Sequence, residues 1–539
     1  MTSKKFNTTN PESLIYQNEI LKLTVLGGIK LEGLDRMRAT LKIELTGSPR
    51  PPVRHNLDLY NDNQLEKLIR KTAEKLEAGT SIIAASLSEL TEELEKYRLQ
   101  QIKQKMPEGG KPKVLSAAER KEAIDFLTAP NLLERTNELI GKTGMIGEQN
   151  NRLLMYLIFT SRKQNQPLHI VSLGSSGTGK TYLQEKVGEL IPEEDKIEIT
   201  TLSENAFYYF GQRELKNKLI IIEDLDGAEN SLYPLRELQS KKRISKTVAH
   251  KNAKGETRTM HLVVEGPVSV AGCTTKEQIY EDNANRSFLI YIDESEKQDS
   301  RVMEYQRRAS AGKIDTTEEQ IAAHLLRNCQ RLLEPVKVVN PFAELLQIPK
   351  EVFKPRRTNN HYLQFIEVVT FYHQFQREQK ADKETGEIFI ETTLEDVAQA
   401  NKLLKQILLR KSDDLSGACR NYFEKLKLYI LDQEKRTFTN RELSKKLRIP
   451  ITTIKRYHLD LLTNGYLRVT KKDKLKGYEY EVISYEEYKQ LQEGINQVLE
   501  NSLKNLSAQQ AGLTKTRKPP RPPLAQLEKW LPNKKKTSK

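Results

Sequence analysis

Hydrophobic residues change their spacing several times along this chain, and each change marks a segment. Near the start, "LKLTVLGGIKL" and "MRATLKIEL" alternate apolar with polar positions, the two-residue period of strands that bury one face. "LDLYNDNQLEKLIRKTAEKLEAG" and "SIIAASLSELTEELEKYRLQQI" then take up the three-to-four-residue spacing of helices. A Pro/Gly/Lys stretch, "MPEGGKPK", ends that pattern, so residues 1–107 read as a small α+β domain.

Beyond this linker the apolar positions run together. "LHIVSLG" is a continuous run that stops at a glycine loop, the signature of a strand buried on both faces of a parallel sheet. "KLIIIEDLDG", "GPVSVAGCTT" and "SFLIYIDES" repeat it at α/β spacing, which predicts an α/β P-loop core over residues 112–300. Residues 301–432 show no strand pattern; "LQFIEVVTFYHQFQRE" and "LEDVAQANKLLKQILL" are amphipathic, so a helical lid is expected. Over 433–490 the pattern reads helix-turn-helix, strand, basic turn, strand, the plan of a winged helix, with Thr439 and Glu442 as a capping box. Residues 491–539 predict a helix and then a basic, Pro-rich, disordered tail.

Composition narrows the setting. Hydrophobic content is 37%, and no run reaches the roughly 20 apolar residues needed to span a bilayer. The first residues lack the apolar stretch of a secretion signal, and the cysteines, Cys273, Cys329 and Cys419, form no C-x-x-C pair. A zinc ribbon and a disulfide framework are both excluded on this reading, and the cytoplasm is the expected compartment. A net charge of +15 points to a polyanionic partner, though solubility alone would also use it.

"GSSGTGKT" supplies the first chemistry. Gly174, Gly177 and Gly179 let the backbone of Ser175, Ser176 and Thr178 curl round phosphate oxygens. Lys180 would reach the terminal phosphates of ATP, and Thr181 would offer a hydroxyl to Mg²⁺. Glu223 and Asp224 end the "LIIIED" strand, where one carboxylate would serve the metal and the other the attacking water. Their order, Glu before Asp, leaves the two roles open, and Asp226 stands close enough in sequence to share them. Thr274 and Thr275, after the next strand, are candidates for a phosphate or the water. Arg286, just before the fourth strand, would act on a neighbouring subunit's nucleotide, or else form a surface ion pair.

Candidate nucleic-acid contacts fall in three places. An insertion before "GCTT" reads as two strands whose turn, Asn252–Glu256, is crowded by Lys251, Lys254 and Arg258. The second helix of the helix-turn-helix offers Thr453, Lys455, Arg456 and His458 to a groove, and the wing offers Lys471, Lys472, Lys474 and Lys476 to phosphates. The tail adds Lys515, Arg517, Lys518, Arg521, Lys534, Lys535, Lys536 and Lys539, and its "LAQLEKWLP" has the apolar spacing of a docking peptide around Trp530.

With "GSSGTGKT", "LIIIED", "GCTT" and "NRSF" in this order, the chain resembles the AAA+ ATPases that carry a hairpin before the first sensor. That group includes minichromosome-maintenance-type helicases and enhancer-binding transcription activators. The resemblance implies a lid over "PRRTNNHYLQFIEVVTFYHQFQRE", with Arg356 or Arg357 as its sensor arginine. "EDLDG", "RELQS" and "TTKEQIYEDN" further resemble the ATPase portion of primase-like proteins of Bacteroidetes-type mobile elements. Those carry a zinc ribbon and a Toprim domain, and neither is recognisable here, so the resemblance implies either a separate primase partner or a cut-down form of the chain. The expected function is therefore an ATP- and Mg²⁺-dependent helicase or primase-associated helicase on DNA, assembled as a ring and acting in replication of a mobile element, with no membrane partner. An ATP-driven transcription regulator and a non-catalytic nucleotide-bound scaffold are the alternatives.

Overall fold

The computed structural model describes residues 6–30, 36–105, 113–227, 232–251, 257–276, 286–434, 436–473 and 477–514. The chain divides into two compact units, residues 1–113 with 247–261, and residues 114–246 with 262–539.

In the first unit, β1 (Phe6–Asn7), β2 (Ser13–Gln17), β3 (Leu21–Leu26), β4 (Arg38–Leu45) and β5 (Val53–Asp58) form an antiparallel meander in chain order. Sequence periodicity marks only the middle pair. β2 and β5 are short, and it is their ladders to β3 and β4 that make them strands. The alternation is clean in β4, where Ala39, Leu41 and Ile43 point inward. α1 (Asp62–Leu76) starts at Asn61, whose side chain accepts from the Gln64 amide. α2 (Thr80–Lys105) closes the core with Ile83, Leu87, Leu90 and Leu94 along one stripe.

The second unit begins with α3 (Ala117–Thr128), α4 (Leu132–Lys142) and α5 (Gln149–Thr160). Every residue of α5 from Arg152 to Thr160 is buried, so this helix is central rather than amphipathic. Next in the chain come β6 (His169–Leu173), α6 (Lys180–Gly188), β7 (Lys196–Ile199), β8 (Lys218–Ile222) and α7 (Leu232–Lys241). The hairpin β9 (Arg243–Lys251) and β10 (Thr257–Glu265) follows in the chain, its residues 247–261 falling in the first unit, then β11 (Val268–Thr274) and β12 (Phe288–Tyr291). The main sheet runs β12-β6-β11-β8-β7, with every pairing parallel.

After the sheet come α8 (Glu296–Ser310), α9 (Thr316–Leu332), α10 (Pro355–Tyr372) and α11 (Leu394–Lys411). This helical region also holds a small sheet that the sequence pattern did not predict: β13 (Lys337–Val339), β14 (Lys380–Ala381) and β15 (Ile388–Glu391). Strands of two to four residues are too short to show a period, and β13 pairs with a partner some fifty positions away. One hydrophobic core runs through Leu127, Tyr156, Phe288, Tyr372 and Val397, so the helices pack directly on the layer that carries the sheet.

The last part is α12 (Gly417–Asp432), β16 (Thr437–Thr439), α13 (Asn440–Leu447), α14 (Ile451–Thr463), the hairpin β17 (Leu467–Asp473) and β18 (Gly477–Val482), and α15 (Glu487–Thr514). The strands pair antiparallel as β16-β18-β17. The Thr439 side chain accepts from the Glu442 amide, the first half of the expected capping box. The Glu442 carboxylate accepts from the Tyr429 hydroxyl at 3.1 Å, tying α13 to α12. Phe423 and Leu426 of α12 share a core with Leu443, Ile454, Leu461 and Tyr480.

Arg420 fixes the position of α12. Its buried guanidinium pairs with fully buried Asp413 at 2.7 Å and with Glu487 of α15 at 3.0 Å. Burial alone would lower the Arg420 pKa; the bonds to Asp413 and then Glu487 raise it instead. Removing one partner of such a pair leaves charge buried and unmatched. Asp413→Ala is expected to cost about 3 kcal/mol, seen as a lower urea midpoint for loss of the C-terminal helices.

Candidate nucleotide site

The glycine loop joins the end of β6 to the start of α6. Gly177 and Gly179 have φ of +81° and +92°, and an added Cβ at either would meet nothing within 4 Å. Glycine is therefore required there by backbone conformation rather than by crowding. Gly179 caps α6 without a side-chain bond, which leaves first-turn amides facing the loop. Lys180 is buried, and its ammonium donates to the Gly174 carbonyl at 2.8 Å and to that of Ser175. Thr178 Oγ1 donates to Ser175 O at 3.0 Å and so tightens the turn. Glu294, just past β12, leans over the loop with Oε1 3.5 Å from the Ser175 amide.

Sheet register brings the acids and threonines to the same edge. Leu173 at the end of β6 lies level with Thr274, and Gly272 of β11 lies level with Ile222 of β8. The loop, Glu223, Asp224 and Thr275 therefore all leave the sheet at its carboxyl end. The acid strand is not next to β6, however; β11 separates them. Gln184 Nε2 donates to Ile222 O at 3.0 Å and links α6 across that gap. Between them lies the Cys273 thiol, pushed up to about 12 by burial; Lys180 and Thr181 oppose that shift and Asp224 reinforces it. Lys180, Thr181 and Asp224 all act on the charge of this one thiol.

Asp226 has a role that spacing alone left undecided. It accepts from the Thr274 hydroxyl, from the Thr275 amide at 3.0 Å and from the Thr275 hydroxyl at 2.7 Å. Burial would raise its pKa, but these hydrogen bonds and Lys276 hold it below the usual carboxylate value. The chain folds back to reach this position: Leu225 N donates to Cys273 O at 2.9 Å, and the Leu225 side chain fills the space that a Cβ on Gly272 would occupy. Thr275 is therefore committed to Asp226, whereas the sequence reading offered its hydroxyl to phosphate or water.

Arg286 lies at the opposite edge. Phe288, two residues on, is level with Ile170 near the start of β6. The Arg286 Nε donates to Ser240 Oγ at 3.0 Å, and the guanidinium lines a cavity of ≈ 290 Å³ with Lys242, Arg357, His169 and His361. Of the two sensor candidates, Arg357 lines this cavity, and Arg356 is exposed outside it. His169 is pushed down to about 3 by burial and then by Arg286, and His361 to about 2 by burial, Lys411, His169 and Arg357.

The nucleic-acid candidates scatter. Lys254, Lys474, Lys476 and the basic tail lie outside the described residues, as do the side chains of Lys251 and Arg258, whose backbones are in β9 and β10. Lys471 and Lys472 are exposed on β17. α14 carries three stripes. Ile454, His458 and Leu461 are buried, and Lys455 faces outward. Thr453 and Arg456 line a cavity of ≈ 590 Å³ together with Gly174, Ser175 and Thr275. His458, expected in a groove, is instead a core residue bonded to the Tyr422 hydroxyl at 2.6 Å, with its pKa lowered to about 4 by burial. Its four-residue spacing from Ile454 is what places it inward. Glu294, Asn421 and Lys425 also line the loop cavity and were not anticipated. Only Glu294, three residues past an apolar strand, left any trace in the sequence.

The fold and loop define an α/β P-loop nucleotide-binding core. Residues 116–335 match the family model described as the MTBMA_p00010 P-loop domain. No curated protein matches the chain in sequence. Among solved structures, it is similar to a chain from Cytophaga hutchinsonii named a candidate ATPase, at 14% identity and a TM-score of 0.30, covering 55% of this chain and 98% of that one. It is also similar to a full-length MCM homolog from Methanopyrus kandleri, at 11% identity and a TM-score of 0.36, covering 76% of each. Neither superposition is close enough to bear on function. Among the described residues no helix is long and apolar enough to cross a membrane, and no cluster of three His, Cys, Asp or Glu could hold a metal.

The neutral, buried histidines set a pH dependence. Below about 6.5 the unfolded chain binds protons that folded His169, His361 and His458 refuse until about 3, 2 and 4. Stability is thus lost as pH falls from 6.5 toward 4, by at most about 1.4 kcal/mol per pH unit for each histidine. Urea titrations at several pH values are expected to give a shallower slope for His361→Gln than for the wild type.

Proposed function

We propose that this chain is an ATPase of the AAA+ kind that acts on DNA as a helicase or primase-associated helicase in replication of a mobile element. The observation that carries the ATPase reading is the convergence at one sheet edge of the Gly174–Thr181 loop, Lys180, Glu223 and Asp224. Lys180 and the loop amides would hold the β- and γ-phosphates of ATP. In hydrolysis a water oxygen bonds to the γ-phosphorus as the bond to the bridging oxygen breaks. The water's proton passes to Glu223 or Asp224, and ADP leaves with the bridging oxygen.

The site suits Mg²⁺. Thr181 and Asp224 are hard oxygen donors at the same carboxyl edge of the sheet, and Mg²⁺ takes one or two such protein ligands with phosphates and waters making up the rest. When bound it would neutralise charge on the phosphate oxygens. Asp226 then acts by positioning Thr274 and Thr275 beside the acids.

The sheet edge at Arg286 and Arg357 supports a ring. β6 has five residues, so roughly 16 Å of strand separates that edge from the chain's own loop. Two arginines and Lys242 in one cavity suit a neighbour's phosphates, which makes the expected assembly head to tail. The DNA reading rests on the hairpin β9–β10, inserted between the acid strand and β11 with Lys251 and Lys254 at or after the end of β9 in the sequence, and on exposed Lys455, Lys471 and Lys472. The element order from α12 to β18 fits a winged helix.

Lys180→Ala is expected to reduce ATP turnover to background in a phosphate-release assay. Full turnover in that variant would remove the site assignment. Lys251→Ala combined with Lys254→Ala is expected to abolish stimulation by DNA, read as the ratio of turnover with and without single-stranded polymer.

A further inference from the structure

The helix expected to read DNA points part of itself elsewhere. Thr453, Arg456, Tyr457 and Asp460 recur at helical spacing on α14, and all line the cavity that also holds Gly174, Ser175 and Thr275. This stripe is distinct from the buried one of Ile454, His458 and Leu461. From α12, Asn421 and Lys425 line the same cavity. A second cavity, of ≈ 660 Å³, adjoins it through shared Tyr291, Asn421 and Lys425, and reaches Asn150, Arg410 and Tyr488. The C-terminal helices therefore roof the glycine loop of their own chain.

We infer that Arg456 and Lys425 are nucleotide-contacting residues, which bind the polyphosphate of the ATP held by the same chain's loop. Both side chains are exposed toward solvent, and neither forms an ion pair among the described residues. Arg456 keeps its guanidinium 5.2 Å from the centroid of the Tyr457 ring, a planar cation held ready beside the loop. Lys276 lines the same cavity, and only the carboxylates of Glu294 and Asp460 face these three cations, which leaves a net positive lining for a phosphate. Arg420, buried against Asp413 and Glu487, keeps α12 from drifting away from the loop. This assignment rests on the loop being an ATP site. It moves Arg456 and Thr453 from reading DNA to sensing nucleotide, and leaves Lys455 as the outward cation of α14.

The test is equilibrium binding of a fluorescent ATP analogue to the full chain, compared among wild type, Lys180→Ala, Arg456→Ala, Lys425→Ala and the Arg456→Ala/Lys425→Ala pair. Both residues are on the surface, so folding is expected to survive, and Arg456→Lys provides a conservative check. Each single alanine is expected to weaken binding about tenfold, the loss expected from one charge-assisted phosphate contact, with the pair weaker still and Arg456→Lys partly restored. If Lys180→Ala loses affinity while the pair binds as tightly as wild type, the inference fails and the loop assignment stands. If Lys180→Ala binds as wild type does, both fail. Duplex DNA binding is measured alongside. A pair that loses duplex affinity and keeps nucleotide affinity would return this stripe to DNA and overturn the inference.

Discussion

The parallel pairing of β11 with both β6 and β8 is the constraint on which the rest of the site depends. It sets the glycine loop and the acid pair at one edge and places a third strand end, with its threonines, between them. Buried hydrogen-bond ladders of this kind tolerate little slippage, because a shift of one residue would carry every side chain to the opposite face, into packing shaped for another. β6 and β11 are buried along their whole length, so apolar packing on both faces fixes the register. Gly272 contributes by leaving room for Leu225, which lets the acid loop fold back and bring Asp226 onto Thr274 and Thr275.

Much of this was legible in the chain, and the reasons are local. Continuous apolar runs that end at glycine or acid announce buried strands, and five consecutive residues of one character suffice. "GSSGTGKT" is specific because each glycine answers a backbone need, as φ at Gly177 and Gly179 bears out. The two helices Asn440–Leu447 and Ile451–Thr463 were readable from Thr439, Pro450 and the apolar spacing between them. Other features were hidden because they depend on partners far away in sequence. β13 and β15 meet only when the helices between them fold. Asp226 was an acid two positions past the pair, and nothing local said that it would take both threonines. His458 looked like a polar tip on a recognition helix, and only a core assembled from α12, β16 and β18 draws it inside.

Cations divide by what surrounds them. Arg152, Arg162 and Arg420 are buried and committed to carbonyls or carboxylates, so they hold elements together. Arg456, Lys455 and Lys425 remain exposed on surfaces next to the loop or outside it. The overall charge of +15 gives no hint of this division. It becomes visible only when each cation is assigned to a packed core, a cavity or open solvent.

The position of Arg286 and Arg357 at the amino end of the strands, with the glycine loop at the carboxyl end, gives the molecule an intrinsic direction. Copies stacked end on end through these sites would all point the same way, and such a row would have a distinguishable front and back. Closure would then depend on the turn taken from one copy to the next, and an open row would keep one loop without a neighbour's arginines at one end and one idle arginine pair at the other.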